Sequence, residues 1–333
     1  MWNSIKSNWQ LVIIIVVVGI VALSETAKEL QPSENKPLAT AGAESSWVSP
    51  SLFTDTELQG EKRELVIYGE DIVANTARYF GPKGSVAPIT NGMNCQNCHL
   101  NAGKKTWGNN YSAVYATYPK FRDRSGSMES IYKRVSDCFE RSLNGNAPDS
   151  NSREYRAIDS YIKWLGKDVK KGEKPVGSGI TKLNYLERAA DPIKGKGVYV
   201  AQCQSCHGAN GEGQPNLNGV SYEYPPLWGQ HSYNDGAGLF RLSNFAGYVK
   251  SNMPFKQATH DNPKLTTEEA WDVAAYVNSQ PRPKKDVSKD WPDISKKPFD
   301  HPYGPYTDEF SESQHKYGPY KPIIAKKELA KNK

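Results

Sequence analysis

Apolar residues along this chain come in three distinct patterns. Near the start, Leu11 to Leu23 is an unbroken apolar run apart from Gly19, with Lys6 before it. Its thirteen residues are short for a bilayer span and normal for the core of an export signal. Residues 1–27 therefore read as a secretory signal peptide, or as an uncleaved N-terminal anchor if the helix extends from Trp9 to Ala27. Either places the rest outside the cytoplasm, in the periplasm. Residues 28–50 form a polar leader. Further on, helical periodicity takes over. Glu61 to Tyr79 predicts an opening helix, and Asn151 to Val169 a closing one with Ile158, Ile162 and Leu165 on one face. A second pair follows: a helix from about Lys194, and one opened by the capping box Thr266-Thr267-Glu268-Glu269 and carrying Trp271, Ala275 and Tyr276. Pro281 and Pro283 stop it. Lys, Gly and Pro from Lys167 to Gly179 break the periodicity and predict a linker. Residues 283–333 are rich in Lys, Pro and Tyr, repeat His301-Pro-Tyr-Gly-Pro-Tyr306 as His315-Lys-Tyr-Gly-Pro-Tyr320, and predict an extended strap over both domains.

Composition makes these cores thin. Only 37% of the 333 residues are hydrophobic, with a mean hydropathy of −0.69. Two small helical domains of this kind need extra apolar surface to close around. Nineteen tyrosines and eight tryptophans suit packing against a flat aromatic group. The net charge of +6 has no clustered basic face with interleaved aromatics, which argues against nucleic acid. It matches small anionic substrates or an acidic redox partner.

The missing surface is supplied by chemistry written twice. Cys95-Gln-Asn-Cys98-His99 and Cys203-Gln-Ser-Cys206-His207 are both C-x-x-C-H. Each places two thiols for thioether bonds to a haem and a histidine to meet the iron. Two covalently bound haem c groups are expected, held by Cys95, Cys98, Cys203 and Cys206, with His99 and His207 as axial ligands. Each half then has one order: helix, haem motif, irregular loop, distal residue, closing aromatic helix. The predicted fold is mainly α, two class I cytochrome c domains in tandem at 51–170 and 181–282, joined by a linker at 171–180.

The distal ligands differ between the halves. In the second, Met253-Pro254 lies in the loop before the closing helix and makes Met253 the candidate. Lys250 is a possible replacement in one redox state, and His231 and His260 are weaker rivals. The first half has no histidine between His99 and His207. Spacing leaves Cys138, the one cysteine outside the motifs, and Met128 both open. Cys138 holds the position that Met253 holds in the second half. Arg134 lies one helical turn before it, with Arg124 upstream and Arg141 downstream. Cations stabilise a thiolate, and a guanidinium fork suits a sulfur oxyanion. The same arginines could instead hold haem propionates. A thiolate lowers the iron potential, an odd choice for a simple shuttle but a useful one for sulfur chemistry.

In these residues the chain resembles the thiosulfate dehydrogenases, dihaem cytochromes c of bacterial periplasms, over about residues 51–325. Their Arg-x-x-x-Cys-Phe-x-Arg-Ser pattern falls on Arg134, Cys138, Phe139, Arg141 and Ser142. The resemblance implies that two thiosulfates are joined into tetrathionate with release of two electrons, and some members run mainly in reverse. It implies Cys138 as distal ligand and sulfur carrier, and Arg124, Arg134 and Ser142 as substrate contacts. The second haem, with His207 and either Met253 or Lys250, would pass electrons to a soluble or membrane-bound cytochrome c. The competing readings are a non-catalytic dihaem electron carrier, which needs Met128 as ligand, a dihaem peroxidase, and a haem subunit conjugating thiosulfate to a carrier protein.

Overall fold

The computed structural model describes residues 47–331 apart from Asn218. The N-terminal signal or anchor and most of the polar leader lie outside these residues. Among the described residues no helix is long and apolar enough to cross a membrane.

Two helix pairs organise the molecule. In the first half, α1 (Gly60–Ala74) packs across α3 (Arg153–Leu165), with α2 (Ile131–Arg141) beside them. In the second, α4 (Pro192–Gln202) packs across α6 (Thr267–Ser279), which also meets α5 (Leu242–Asn252). Both crossings are closed by glycine. A Cβ on Gly69 of α1 would sit 2.0 Å from the Ala157 carbonyl oxygen, and one on Gly195 of α4 would sit 1.9 Å from that of Asp272. No side chain fits where two helix backbones approach so closely. Ile158, Ile162 and Leu165 are buried in the first core, as their spacing predicts, and Trp271 and Ala275 in the second. The capping box forms, with Thr266 accepting from the Glu269 N–H and Glu269 from that of Thr266.

The opening helix is shorter than its periodicity predicts. It stops at Ala74, and after Asn75 a separate turn runs over Thr76–Phe80. The cause lies further along the chain. Thr76 Oγ1 accepts from the Cys95 N–H at 2.9 Å, and the Ala77 N–H donates to Asn94 Oδ1 at 2.9 Å. Hydrogen bonds to the haem-motif loop thus replace bonds that would have continued the helix.

Between α1 and α2 the chain forms short helical turns, irregular loops and one hairpin, in which β1 (Lys120–Arg122) pairs with β2 (Ser127–Glu129). The linker is not free. Its Gly177 and Gly179 carbonyls accept from the Trp107 and Asn109 N–H groups at 2.7 and 2.9 Å. The halves are joined further by Asn252 Nδ2 to the Trp107 carbonyl, Asn234 Nδ2 to that of Glu140, and His260 stacked on Trp107 at 4.0 Å.

The C-terminal segment contacts both halves and is not extended to its end. It leaves α6, meets the first half at Asp290 and Trp291, and returns to the second, where Asp300 accepts from Arg241 and Ser243. It then forms a short helix over Glu312–Tyr317, capped by Ser311, and a last one, α7 (Lys321–Lys331). Tyr320 and Ile323 are buried in the second core, which is why the strap folds there. His315 is fixed by the Phe299 carbonyl and Asp308, and among the described residues no metal-binding cluster forms.

Candidate active site: two adjoining cavities

The first cavity, about 850 Å³, is lined by Cys95, Cys98 and His99 together with Cys138. His99 Nδ1 faces the Asn109 carbonyl oxygen at 2.5 Å. Burial pushes its pKa down to about 4, against the pull of that carbonyl, so the ring is neutral. With its proton on Nδ1, the ring leaves Nε2 as the free donor, the state a metal-binding histidine needs.

The cavity's other wall is α2. Its N-cap Ser130 accepts from the Lys133 N–H, and Ile131, Arg134, Val135, Cys138 and Ser142 follow at helical spacing and all line the cavity. Arg134 Nη1 donates to Cys138 Sγ at 3.2 Å. The Cys138 sulfur is the largest influence on the Arg134 pKa and holds it above its ordinary value despite burial. Met128, the other distal candidate, is on β2 and 64% exposed, so this structure does not bring it to the cavity.

Arg124 is near this group but does not line the cavity. It lies in the turn between β1 and β2, with its guanidinium carbon 5.8 Å from the centre of the Trp291 ring and Nε buried without a partner. Burial pushes its pKa down to about 10, helped by the charges of Arg141 and Arg134. Arg141, though within the same sequence pattern, is committed elsewhere. Its two terminal nitrogens grip Asp290 of the strap at 2.8 and 2.7 Å.

Sequence reasoning missed four further cations on the cavity wall: Lys120 and Arg122 from β1, Lys174 from the linker and Lys182 just after it. The alternation Lys120-Phe121-Arg122 was a usable signal, since it puts both cations on one face of a strand while Phe121 is exposed. With Arg134 they make five cations, and no carboxylate is among the lining residues. Such a wall favours an anion.

The second cavity, about 350 Å³, is lined by Cys203, Cys206, His207 and Met253. His207 Nδ1 faces the Pro225 carbonyl oxygen at 2.9 Å, and burial again lowers its pKa. Met253 ends α5, its N–H donating to the Val249 carbonyl at 2.9 Å. Lys250 is turned away: its ammonium donates to the Leu265 carbonyl and does not line the cavity. Of the other rivals, His231 is exposed and His260 lines the first cavity. This cavity has Glu223 on its wall and no Lys or Arg. Both donor sets fit haem c, each offering two thiols, a histidine with Nδ1 satisfied, and one further sulfur residue lining the same cavity. Asn94 and Cys98 line both cavities, so the two sites share a wall.

Residues 193–281 match the family model for cytochrome c, and residues 86–170 match that for the SoxA/TsdA cytochrome c domain. A thiosulfate dehydrogenase of Psychrobacter arcticus is 41% identical over 282 residues, covering 83% of each chain. One of Stutzerimonas stutzeri is 34% identical over 278 residues, 83% of this chain and 87% of that one. Among solved structures, the thiosulfate dehydrogenase TsdBA of Marichromatium purpuratum in its as-isolated form matches with a TM-score of 0.65 and 32% identity. That match covers 76% of this chain and 53% of the other, so this chain spans about half the length of that one. The family-model matches span both C-x-x-C-H motifs, and with the identity to these relatives they mean that the chain belongs to the thiosulfate dehydrogenase family.

Proposed function

We propose that this protein is a periplasmic dihaem cytochrome c that joins two thiosulfates into tetrathionate and delivers two electrons to an external cytochrome c. The observation that carries this reading is Arg134 Nη1 at 3.2 Å from Cys138 Sγ, in a cavity with five cations that also holds Cys95, Cys98 and His99. An electron carrier has no need of a half-buried cation beside a sulfur, and its required ligand, Met128, is exposed.

Cys95, Cys98 and His99 would hold one covalent haem c and Cys203, Cys206 and His207 the other, with Cys138 and Met253 as distal ligands. When bound, the haems supply one-electron acceptors that relay charge out of the protein. The chain's own residues do the rest. The lysines and Arg122 draw the dianion in. Arg134 holds its sulfonate oxygens through charge-assisted hydrogen bonds, with Ser142 as a further donor, and Arg124, near this group but off the cavity wall, would complete the grip. The outer sulfur then meets Cys138 Sγ. A sulfur–sulfur bond forms as two electrons leave. A second thiosulfate attacks the bound outer sulfur, tetrathionate departs, and the Cys138 thiolate is restored. No net proton is taken up or released.

The test pairs thiosulfate oxidation by ferricyanide with tetrathionate reduction by a reduced viologen, on wild type and Cys138→Gly. Turnover in either direction that vanishes in the variant is expected, and the ratio of the two rates gives the preferred direction. A variant that keeps full turnover refutes the role of Cys138. Absence of turnover in the wild type returns the chain to the carrier reading.

A further inference from the structure

We infer that Trp291, on the C-terminal strap, is a positioning residue for Arg124 and so sets the affinity of the first-half site for its sulfur oxyanion. This rests on the reading above in one respect, that Arg124 touches thiosulfate.

Four observations converge on Trp291. The Arg124 guanidinium lies against the indole, its carbon 5.8 Å from the ring centre, within the roughly 6 Å reach of a cation–π contact. The Trp291 N–H donates to the Arg124 carbonyl at 2.7 Å, so the strap holds the backbone and the side chain of the same residue. Next to it, Pro292 closes over the hairpin turn, where a Cβ on Gly126 would lie 2.6 Å from Pro292 Cγ. Lastly, Trp291 has φ +61°, a left-handed conformation that glycine adopts freely and a bulky residue rarely does. A tryptophan kept where glycine would be easier implies a use for its ring.

The chemistry of the ring explains the choice. A carboxylate in this place would fix the guanidinium but neutralise it. An aromatic face holds it and leaves its hydrogen-bond donors and its charge uncommitted. Asp290 acts on Arg124 only through its field, because both of its oxygens accept hydrogen bonds from Arg141. Arg124 forms no ion pair among the described residues. It is held in place and electrically available, the condition an oxyanion site requires.

The test is thiosulfate saturation kinetics on the full haem-loaded protein for Trp291→Gly, Trp291→Phe, Arg124→Ala and the double variant Arg124→Ala/Trp291→Gly. Glycine suits the backbone at this position, so Trp291→Gly removes the ring without adding strain. We expect it to raise the half-saturating thiosulfate concentration roughly three- to tenfold, with maximal rate within about twofold of wild type. Trp291→Phe should restore most of the loss, and the double variant should be no worse than Arg124→Ala. If Arg124→Ala raises half-saturation while Trp291→Gly does not, the inference is overturned and the reading of Arg124 stands. If Arg124→Ala has no effect, both fall. Should Trp291→Gly fail to load haem, Trp291→Leu against Trp291→Phe decides, and equal saturation curves for those two overturn the inference.

Discussion

Two glycines on one helix should respond to alanine with opposite signs. Gly195 and Gly197 are both in α4. At Gly195 an added Cβ would lie 1.9 Å from the Asp272 carbonyl oxygen and 2.4 Å from its carbon, both backbone atoms of α6. Ordinary contact needs well over 3 Å, so the helices must part by about 1 Å or more. Overpacking of this kind costs about 1–3 kcal/mol, while alanine returns about 1 kcal/mol of helix propensity over glycine. The net expectation for Gly195→Ala is a loss of up to about 2 kcal/mol. At Gly197 nothing lies within 4 Å, so only the propensity acts, and Gly197→Ala should gain about 0.5–1 kcal/mol. The shift at Gly195 also has a functional side, because Val273, next to Asp272, lines the second cavity. Guanidinium denaturation of the haem-loaded protein, followed by circular dichroism, measures both. Shifts of the same sign, or a stabilised Gly195→Ala, would refute the idea that backbone contact fixes this crossing.

Arg134→Gln keeps length and some hydrogen bonding but removes the charge beside Cys138. It should raise the half-saturating thiosulfate concentration by about 10- to 100-fold, the scale of a charge-assisted hydrogen bond, in the same ferricyanide assay. Asp300 is fully buried; burial works to raise its pKa, but Arg241 and Ser243 outweigh it and hold the carboxyl below its ordinary value. Asp300→Asn should therefore cost about 3 kcal/mol at neutral pH, read by denaturation midpoint. Because the folded pKa is depressed, that contribution is fully present above the ordinary carboxylate range, declines below about pH 4, and is gone beneath the folded pKa. A gap between wild type and variant that closes between pH 8 and pH 5 would contradict this. Lys250→Ala should leave the optical spectrum of the second haem unchanged, whereas Met253→Ala should alter it. A spectral change in the lysine variant would restore Lys250 as a ligand.

What could be read from the chain was mostly local. The C-x-x-C-H pentapeptides place their groups by covalent adjacency, and Arg134 and Cys138 by one turn of α2, so spacing alone brings them together. Met253 could be found because it sits at the end of α5, just where the loop must return to the cavity. Contacts set by distant segments could not be read. The break after Ala74 depends on Asn94 and Cys95. The partner of Arg141 is 149 positions away in the strap, so nothing near Arg141 revealed that it was already neutralised. Lys174 reads as a linker charge and Lys182 as a charge just beyond the linker, because only the folded loop turns them toward the first cavity. Lys250 was misleading for the opposite reason: one turn before Met253 it looks available, yet the Leu265 carbonyl takes its ammonium.

The strap and the shared wall together explain why the two halves belong in one chain. The first cavity is lined by five cations and no carboxylate, the second by Glu223 and no cation. A dianion is therefore drawn to the first and has no charged anchor in the second. Screening at physiological salt, with a Debye length of about 8 Å, keeps this difference local to each cavity mouth. Electrons need the opposite arrangement, a short path between the sites, and Asn94 and Cys98 supply it by lining both cavities. Charge separates the tasks while geometry keeps them adjacent. The C-terminal segment then crosses from the second half to the Arg124 turn and back, so Arg124 is held by sequence whose far end is anchored in the second core. An isolated first half would keep Cys138 and Arg134 on α2. It would lose the indole over Arg124 and the acid on Arg141, and with them the distinction between one committed and one available arginine.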